Sequence, residues 1–202
     1  GPSEVAVIAD GDADPTLVAL DLISQAEHDI FARAVLVTAS SELASRVNSQ
    51  LEELILRSFR KEIVSKALEG FGAIVLVEDM GEGVDFVNRL APEHLSIQVR
   101  DPMEILGRVE NAGAILIGPF SPVAYADYAA GPSHVLPTGG TARFSSGLGV
   151  QTFMNASTLV IASRKGLEDS LEIVIRLARA EGLSGHAEAL LGRFSGTKES
   201  FR

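Results

Sequence analysis

Chemistry in this chain rests on nitrogen and oxygen side chains, because its 202 residues include four histidines and no cysteine. Thiolate nucleophiles and disulfides are thereby excluded, and any metal has to be held by His, Asp, Glu or an amide oxygen. His28 closes the segment Ser24-Gln25-Ala26-Glu27-His28. Gln25 and His28 are three apart, so a helix through them shows an amide and an imidazole on one face, a pair able to grip a cation. A histidine at a helix carboxyl end equally serves as a cap or dipole partner. His94 follows Ala91-Pro92-Glu93, where Pro92 pushes Ala91 out of helical geometry. Glu93 and His94 at the entrance to a strand offer two acid–base groups of different proton affinity, or else a polar surface turn. His134 lies in a long loop, in Gly131-Pro132-Ser133-His134-Val135-Leu136-Pro137-Thr138, with Asp127 as the nearby carboxylate. His186 sits between two helical stretches, where Gly182 reads as a helix stop and Ser184 as an N-cap, which leaves His186 simply exposed.

Two glycine motifs compete for attention. Asp79-Met80-Gly81-Glu82-Gly83 leads from a strand into a helix, as a dinucleotide-binding turn should, but the third glycine position falls on Phe86. Gly147-Leu148-Gly149 has no strand before it. No phosphate-loop lysine and no nucleophile elbow occur, and Glu52-Glu53 reads as a solvated helix face.

The elements that must position these groups alternate. Strands are expected at 5–9, 34–38, 73–77, 95–99, 114–118 and 158–162, each a short run rich in Val, Ile or Ala. Helical patterns lie between them: Pro15 to Glu27, with Asp14 as N-cap, then Ser41 to Phe59, Lys61 to Leu68, Gly83 to Leu90 and Met103 to Asn111. Short apolar strands separated by helices imply parallel strands covered on both faces. The fold class is α/β: an open, doubly wound, mostly parallel sheet, an incomplete Rossmann-like fold. Between Gly118 and Ser157 the alternation stops, and Tyr125, Tyr128, Phe144 and Phe153 suggest that this long loop is packed and functional. Helices at Leu167 to Ala180 and Ser184 to Leu191 then form a C-terminal helical appendage. The expected domains are 1–163, the α/β part, and 164–202, a helical arm, with a frayed tail from Ser195 to Arg202.

Composition narrows the partners. Net charge is −10 and the pI near 4.8, which argues against nucleic acid or an anionic membrane as partner. Mean hydropathy is +0.22, yet no apolar run reaches the roughly 18 residues of a membrane span. A cytoplasmic protein is expected, and a chain opening on Gly1 with a strand almost at once is not expected to begin where its gene does.

Taken together, the motifs resemble histidinol dehydrogenase. The matching segments are Gly1-Pro2-Ser3-Glu4, Ser24-Gln25-Ala26-Glu27-His28, Ala91-Pro92-Glu93-His94-Leu95, Asp127-Tyr128, Gly131 to Thr138, Gly147-Leu148-Gly149-Val150, and Glu181-Gly182-Leu183 with His186, in the family's order and spacing. The resemblance runs from residue 1 to about Phe194. It implies a zinc-dependent, NAD-linked oxidation of L-histidinol through histidinaldehyde to L-histidine, the last step of histidine biosynthesis. By the same resemblance, Gln25, His28, Asp127 and His186 are zinc ligands. Ser3, His134 and Glu181 contact histidinol, faced also by Gln25, His28, His94, Asp127 and His186. Glu93 and His94 become the acid–base pair. His94 takes the hydroxyl proton, and Glu93 activates the water that adds to the aldehyde. A homodimer is implied in which the C-terminal arm, through Glu181 and His186, completes the partner's site.

Family members are about twice this length, and the N-terminal half is expected to carry the NAD contacts, none of which falls in this chain. On that basis the chain alone is not expected to oxidise histidinol. Two other readings stand beside this one: a noncatalytic binding or assembly module derived from the enzyme, and a free-standing zinc hydrolase reusing Glu93 and His94.

Overall fold

The computed structural model describes residues 3–194. Contacts divide the chain into two compact units, Gly1–Met154 and Asn155–Arg202. The first is a five-stranded sheet: β1 (Glu4–Ala9), β2 (Arg33–Thr38), β3 (Gly72–Leu76), β4 (His94–Gln98) and β5 (Ala114–Ile117). Strand order is β3-β2-β1-β4-β5 and every pairing is parallel. This is the Rossmann order without its sixth strand. The expected open, doubly wound sheet is therefore found, and it is parallel throughout.

Two layers of helices cover it. On one face lie α1 (Pro15–Ala26), α2 (Ser41–Arg57) and α3 (Lys61–Phe71), packed on Val5, Val7, Ala34 and Leu36. On the other lie α4 (Met80–Leu90) and α5 (Pro102–Leu106), packed on Ala6, Ile8, Val35, Val37, Leu95 and Ile97. All six β1 residues are buried, as a central parallel strand requires. Asp14 caps α1 by accepting from the Thr16 amide at 2.8 Å, and Pro15 opens the helix.

β4 breaks the apolar rule on one face. Val5, Val7 and Ala9 stand in register with His94, Ser96 and Gln98, so these three polar side chains lie in the α1 layer. All three are buried. Gln98 donates through Nε2 to Asp21 of α1 at 2.7 Å and to Ser96 Oγ at 3.2 Å. Burying such a file costs stability unless its groups are paired. Here the upper part is paired, and the lower end, His94, opens on the candidate site.

The Asp79–Gly83 turn proves to be a helix cap. Asp79 accepts from the Glu82 amide at 2.9 Å, and Glu82 reaches back to the Glu78 amide at 2.8 Å. Two carboxylates thus hold the amides a phosphate would want. A Cβ on Gly83 would stand 3.3 Å from Ile8 Cδ1, so this glycine serves close packing of α4 on the sheet. Glu52 accepts from Asn48, and Glu53 pairs with Arg57, on an exposed helix face.

Three expectations need correction. Residues 158–162 form no strand: Leu159, Val160 and Ile161 are 80–86% exposed, and β-branched propensity without a ladder partner does not make a strand. The helix expected at Met103 to Asn111 stops at Leu106, with Gly107 as its C-cap. The loop aromatics Tyr125, Tyr128, Phe144 and Phe153 are all exposed. The loop instead forms α6 (Val123–Tyr128) and two short 3-10 turns, held through main-chain bonds such as Leu148 N–H to Val135 O at 2.8 Å. The second unit contains α7 (Arg164–Ala180) and α8 (Ser184–Leu191), packed together as a hairpin. Ser195 to Arg202, expected to fray, lie outside the described residues.

Candidate active site at the amino edge of the sheet

Parallel pairing of β1 with β4 brings the amino ends of both strands together, so Ser3 and Glu4 meet Glu93 and His94 across some ninety residues of sequence. The approach to β4 is closely fitted. Helix α4 ends on Ala91, a non-glycine residue in the left-handed region at φ 50°, and Pro92 follows. A strained, buried residue of this kind persists only where its surroundings hold it. On the far side, Gly113 N–H donates to Pro92 O at 2.9 Å and Ala114 N–H to Glu93 O at 2.8 Å. A Cβ on Gly113 would lie 2.6 Å from Glu93 O and 3.2 Å from Pro137, so only glycine allows this approach.

Glu93 is 8% exposed. Its Oε2 accepts from Ser3 Oγ at 2.9 Å and from the Glu4 amide at 3.2 Å. Burial pushes its proton affinity above the ordinary carboxylate range; the Ser3 bond, His94 and the Glu4 amide oppose this, and the Glu4 carboxylate adds to it. His94 is 2% exposed, with Nδ1 3.1 Å from Glu4 O. A carbonyl can only accept, so Nδ1 carries a hydrogen, and in the neutral ring Nε2 keeps its lone pair. That Nε2 is buried without a hydrogen-bond partner among the described residues, and Asp127 Oδ1 of α6 stands 3.5 Å away. Two acceptors facing each other at that distance call for a proton, a cation or a polar ligand between them.

Gln25, on the last turn of α1, is 2% exposed and its amide nitrogen has no hydrogen-bond partner among the described residues. Turning the amide over presents its oxygen at the same place. His28 lies just past the helix end, its N–H bonded to Gln25 O at 3.2 Å, and its ring is exposed. His134 is exposed on the loop. Glu181, the C-cap of α7, and His186, on α8, are exposed residues of the second unit. Ser3, Glu93, His94 and Asp127 are therefore gathered by direct contacts in the first unit. Among the described residues no three His, Asp or Glu side chains converge as a metal cluster. An amide, an imidazole and a carboxylate nevertheless match a zinc donor set in type, and the orphaned Gln25 amide is the kind of group a ligand satisfies.

Sequence reasoning passed over Glu4, Gly113 and Gly139. Glu4 was signalled, as the single charge opening an otherwise apolar strand. At the carboxyl edge, where sheets of this order usually receive a dinucleotide, the β1–α1 turn is Asp10-Gly11-Asp12. There Asp10 accepts from the Asp12 amide at 3.0 Å and the Arg100 amide at 2.7 Å.

Fold and site together define a class: a Rossmann-like parallel α/β protein whose acid–base groups sit at the amino ends of two central strands. The family model described as histidinol dehydrogenase matches residues 1–194. The histidinol dehydrogenase of Moorella thermoacetica is 52% identical over 190 residues, covering 94% of this chain and 45% of that protein. That of Geobacillus kaustophilus is 47% identical over the same shares of both chains. The crystal structure of histidinol dehydrogenase from Elizabethkingia anophelis superposes with a TM-score of 0.81 at 35% identity, covering 96% of this chain and 45% of that one. The chain belongs to the histidinol dehydrogenase family. It spans a little under half the length of these relatives.

Proposed function

We propose that this chain is the substrate- and zinc-holding half of a histidinol dehydrogenase, converting L-histidinol through histidinaldehyde to L-histidine with two NAD molecules as electron acceptors. The observation that carries this reading is the pair at the head of β4: a buried Glu93 of raised proton affinity beside a His94 whose ring is oriented by Glu4 O and whose Nε2 has no hydrogen-bond partner among the described residues. The two groups suit two different proton transfers. His94 Nε2 accepts the alcohol proton in the first oxidation. Glu93, held by Ser3, accepts a proton from the water that adds to the aldehyde before the second.

Gln25, His28, Asp127 and His186 would hold zinc, which when bound orients the substrate's amine and imidazole. Ser3, His134 and Glu181 are proposed to contact the substrate alongside them. The second unit carries Glu181 and His186, and we assign these to the site of a second copy, so that each site draws on two chains. NAD contacts are assigned to the part of the relatives that this chain does not span. Among the described residues no helix is long and apolar enough to cross a membrane, and the proposed setting is the cytoplasm.

Calorimetric titration of the chain with zinc and then histidinol is expected to show histidinol binding that depends on zinc and is lost in His28→Ala and Asp127→Ala. With NAD added, the chain alone is expected to yield no NADH. Histidinol binding indifferent to zinc would refute the ligand assignment, and NADH formation would refute the half-enzyme reading.

A further inference from the structure

Glu4 extends one residue beyond the β1–β4 ladder, whose first pair is Val5 with His94. There its main chain also meets the side chains at the entrance to β4. Its N–H donates to Glu93 Oε2 at 3.2 Å, and its carbonyl accepts from His94 Nδ1 at 3.1 Å. One residue thus orients both members of the pair. Its side chain, 9% exposed, reaches in two further directions: Oε1 accepts from Arg33 Nη1 at 3.1 Å and from the Gly139 amide at 3.2 Å. Oε2 is buried with no hydrogen-bond partner among the described residues.

A half-satisfied buried carboxylate beside a second buried carboxylate is costly twice over, through lost hydration and like-charge repulsion. An uncharged acceptor could take the Gly139 and Arg33 hydrogen bonds without that repulsion. The Arg33 ion pair offsets part of this cost and holds the charge where it faces Glu93.

We propose that Glu4 is a positioning residue for the acid–base pair: its main chain aims Glu93 and His94, while its carboxylate anchors the Thr138–Gly140 turn and sets a second negative charge behind Glu93. The inference deepens the function proposed above and takes from it the roles of Glu93 and His94. The titratable and charged groups around Glu93 are Glu4 of β1, which Arg33 of β2 pairs, and the neighbouring His94, whose Nε2 faces Asp127 of α6. Of these groups, Glu4 belongs to another strand and also bonds Glu93 directly, through its main-chain N–H.

The test is a carbon-13 carboxyl titration of Glu93 in the whole chain, with hydrogen exchange at the Gly139 amide. Glu4→Gln keeps an acceptor for Gly139 and removes the charge. Glu93 is expected to titrate at lower pH while Gly139 stays protected. Glu4→Asp keeps the charge on a shorter arm, and should restore the Glu93 midpoint but expose Gly139. Arg33→Gln, at a partly exposed site, unmasks the Glu4 charge and should move the Glu93 midpoint up, which keeps the test decisive if Glu4→Gln does not fold. A Glu93 midpoint unmoved in a folded Glu4→Gln, or in Arg33→Gln, overturns the proposal. These readouts need no turnover: if Glu93→Gln left histidinol oxidation intact in the full-length enzyme, the proposed function would fall while the Glu4 result stood.

Discussion

Asp21 offers a perturbation whose size can be worked from the structure. It projects from α1 into the polar file on β4, where burial pushes its carboxyl from 3.8 up to about 6 against the opposing bond from Gln98. The folded state therefore holds this proton where the unfolded chain has released it. The stability it confers is complete below the unfolded value and lost as pH rises from 3.8 to about 6. At ~1.4 kcal/mol per pH unit, that gap sets a ceiling of about 3 kcal/mol. Asp21 remains partly open to water, and screening reduces the expected change to roughly 1–2 kcal/mol. Asp21→Asn keeps an oxygen for Gln98 Nε2 and removes the titration. Urea melts of both proteins at closely spaced pH should show the parent losing stability relative to the variant across this window, with the variant at least as stable near neutral pH. Other groups, Glu93 among them, titrate in both proteins and cancel in the difference. Parallel curves across the window would refute the buried-carboxyl account.

Gly113→Ala sets a methyl 2.6 Å from Glu93 O and against Pro137, and should lower stability by about 1–3 kcal/mol, read by thermal melting, with histidinol oxidation by the full-length enzyme impaired as well. A variant of parental stability would show that the β5 approach is looser than the structure has it. In the full-length enzyme, Glu93→Gln and His94→Gln should each lower kcat by about 10²–10⁴. Glu93→Gln should still oxidise added alcohol to aldehyde more readily than aldehyde to acid, a split that single-turnover measurements on each half-reaction resolve. Equal loss in both halves would contradict the division of roles.

The path from sequence to site was uneven for physical reasons. Apolar runs such as Val5 to Ala9 and Ala34 to Thr38 declared themselves as strands because a parallel sheet buries both faces, and that signal is local. Pro92 likewise announced the break before Glu93 and His94. The run at 158–162 had the same local signature and is not a strand, because pairing is decided by what lies alongside and no ladder partner stands there among the described residues.

By itself, then, the sequence determined the chemical inventory and the alternation of elements: four histidines, no thiol, and short β-branched runs between helices. The family resemblance also lay entirely in linear motifs. Tertiary structure decided which groups meet and with what proton affinity. The β1–β4 register joins Ser3 and Glu4 to Glu93 and His94, burial raises Glu93 and Asp21, and Gly113 permits β5 to close on the turn. Hydrogen bonding across strands and exclusion of water both depend on neighbours distant in sequence. That is why Glu4, one charge at the mouth of an apolar strand, shows its connections only in the folded chain.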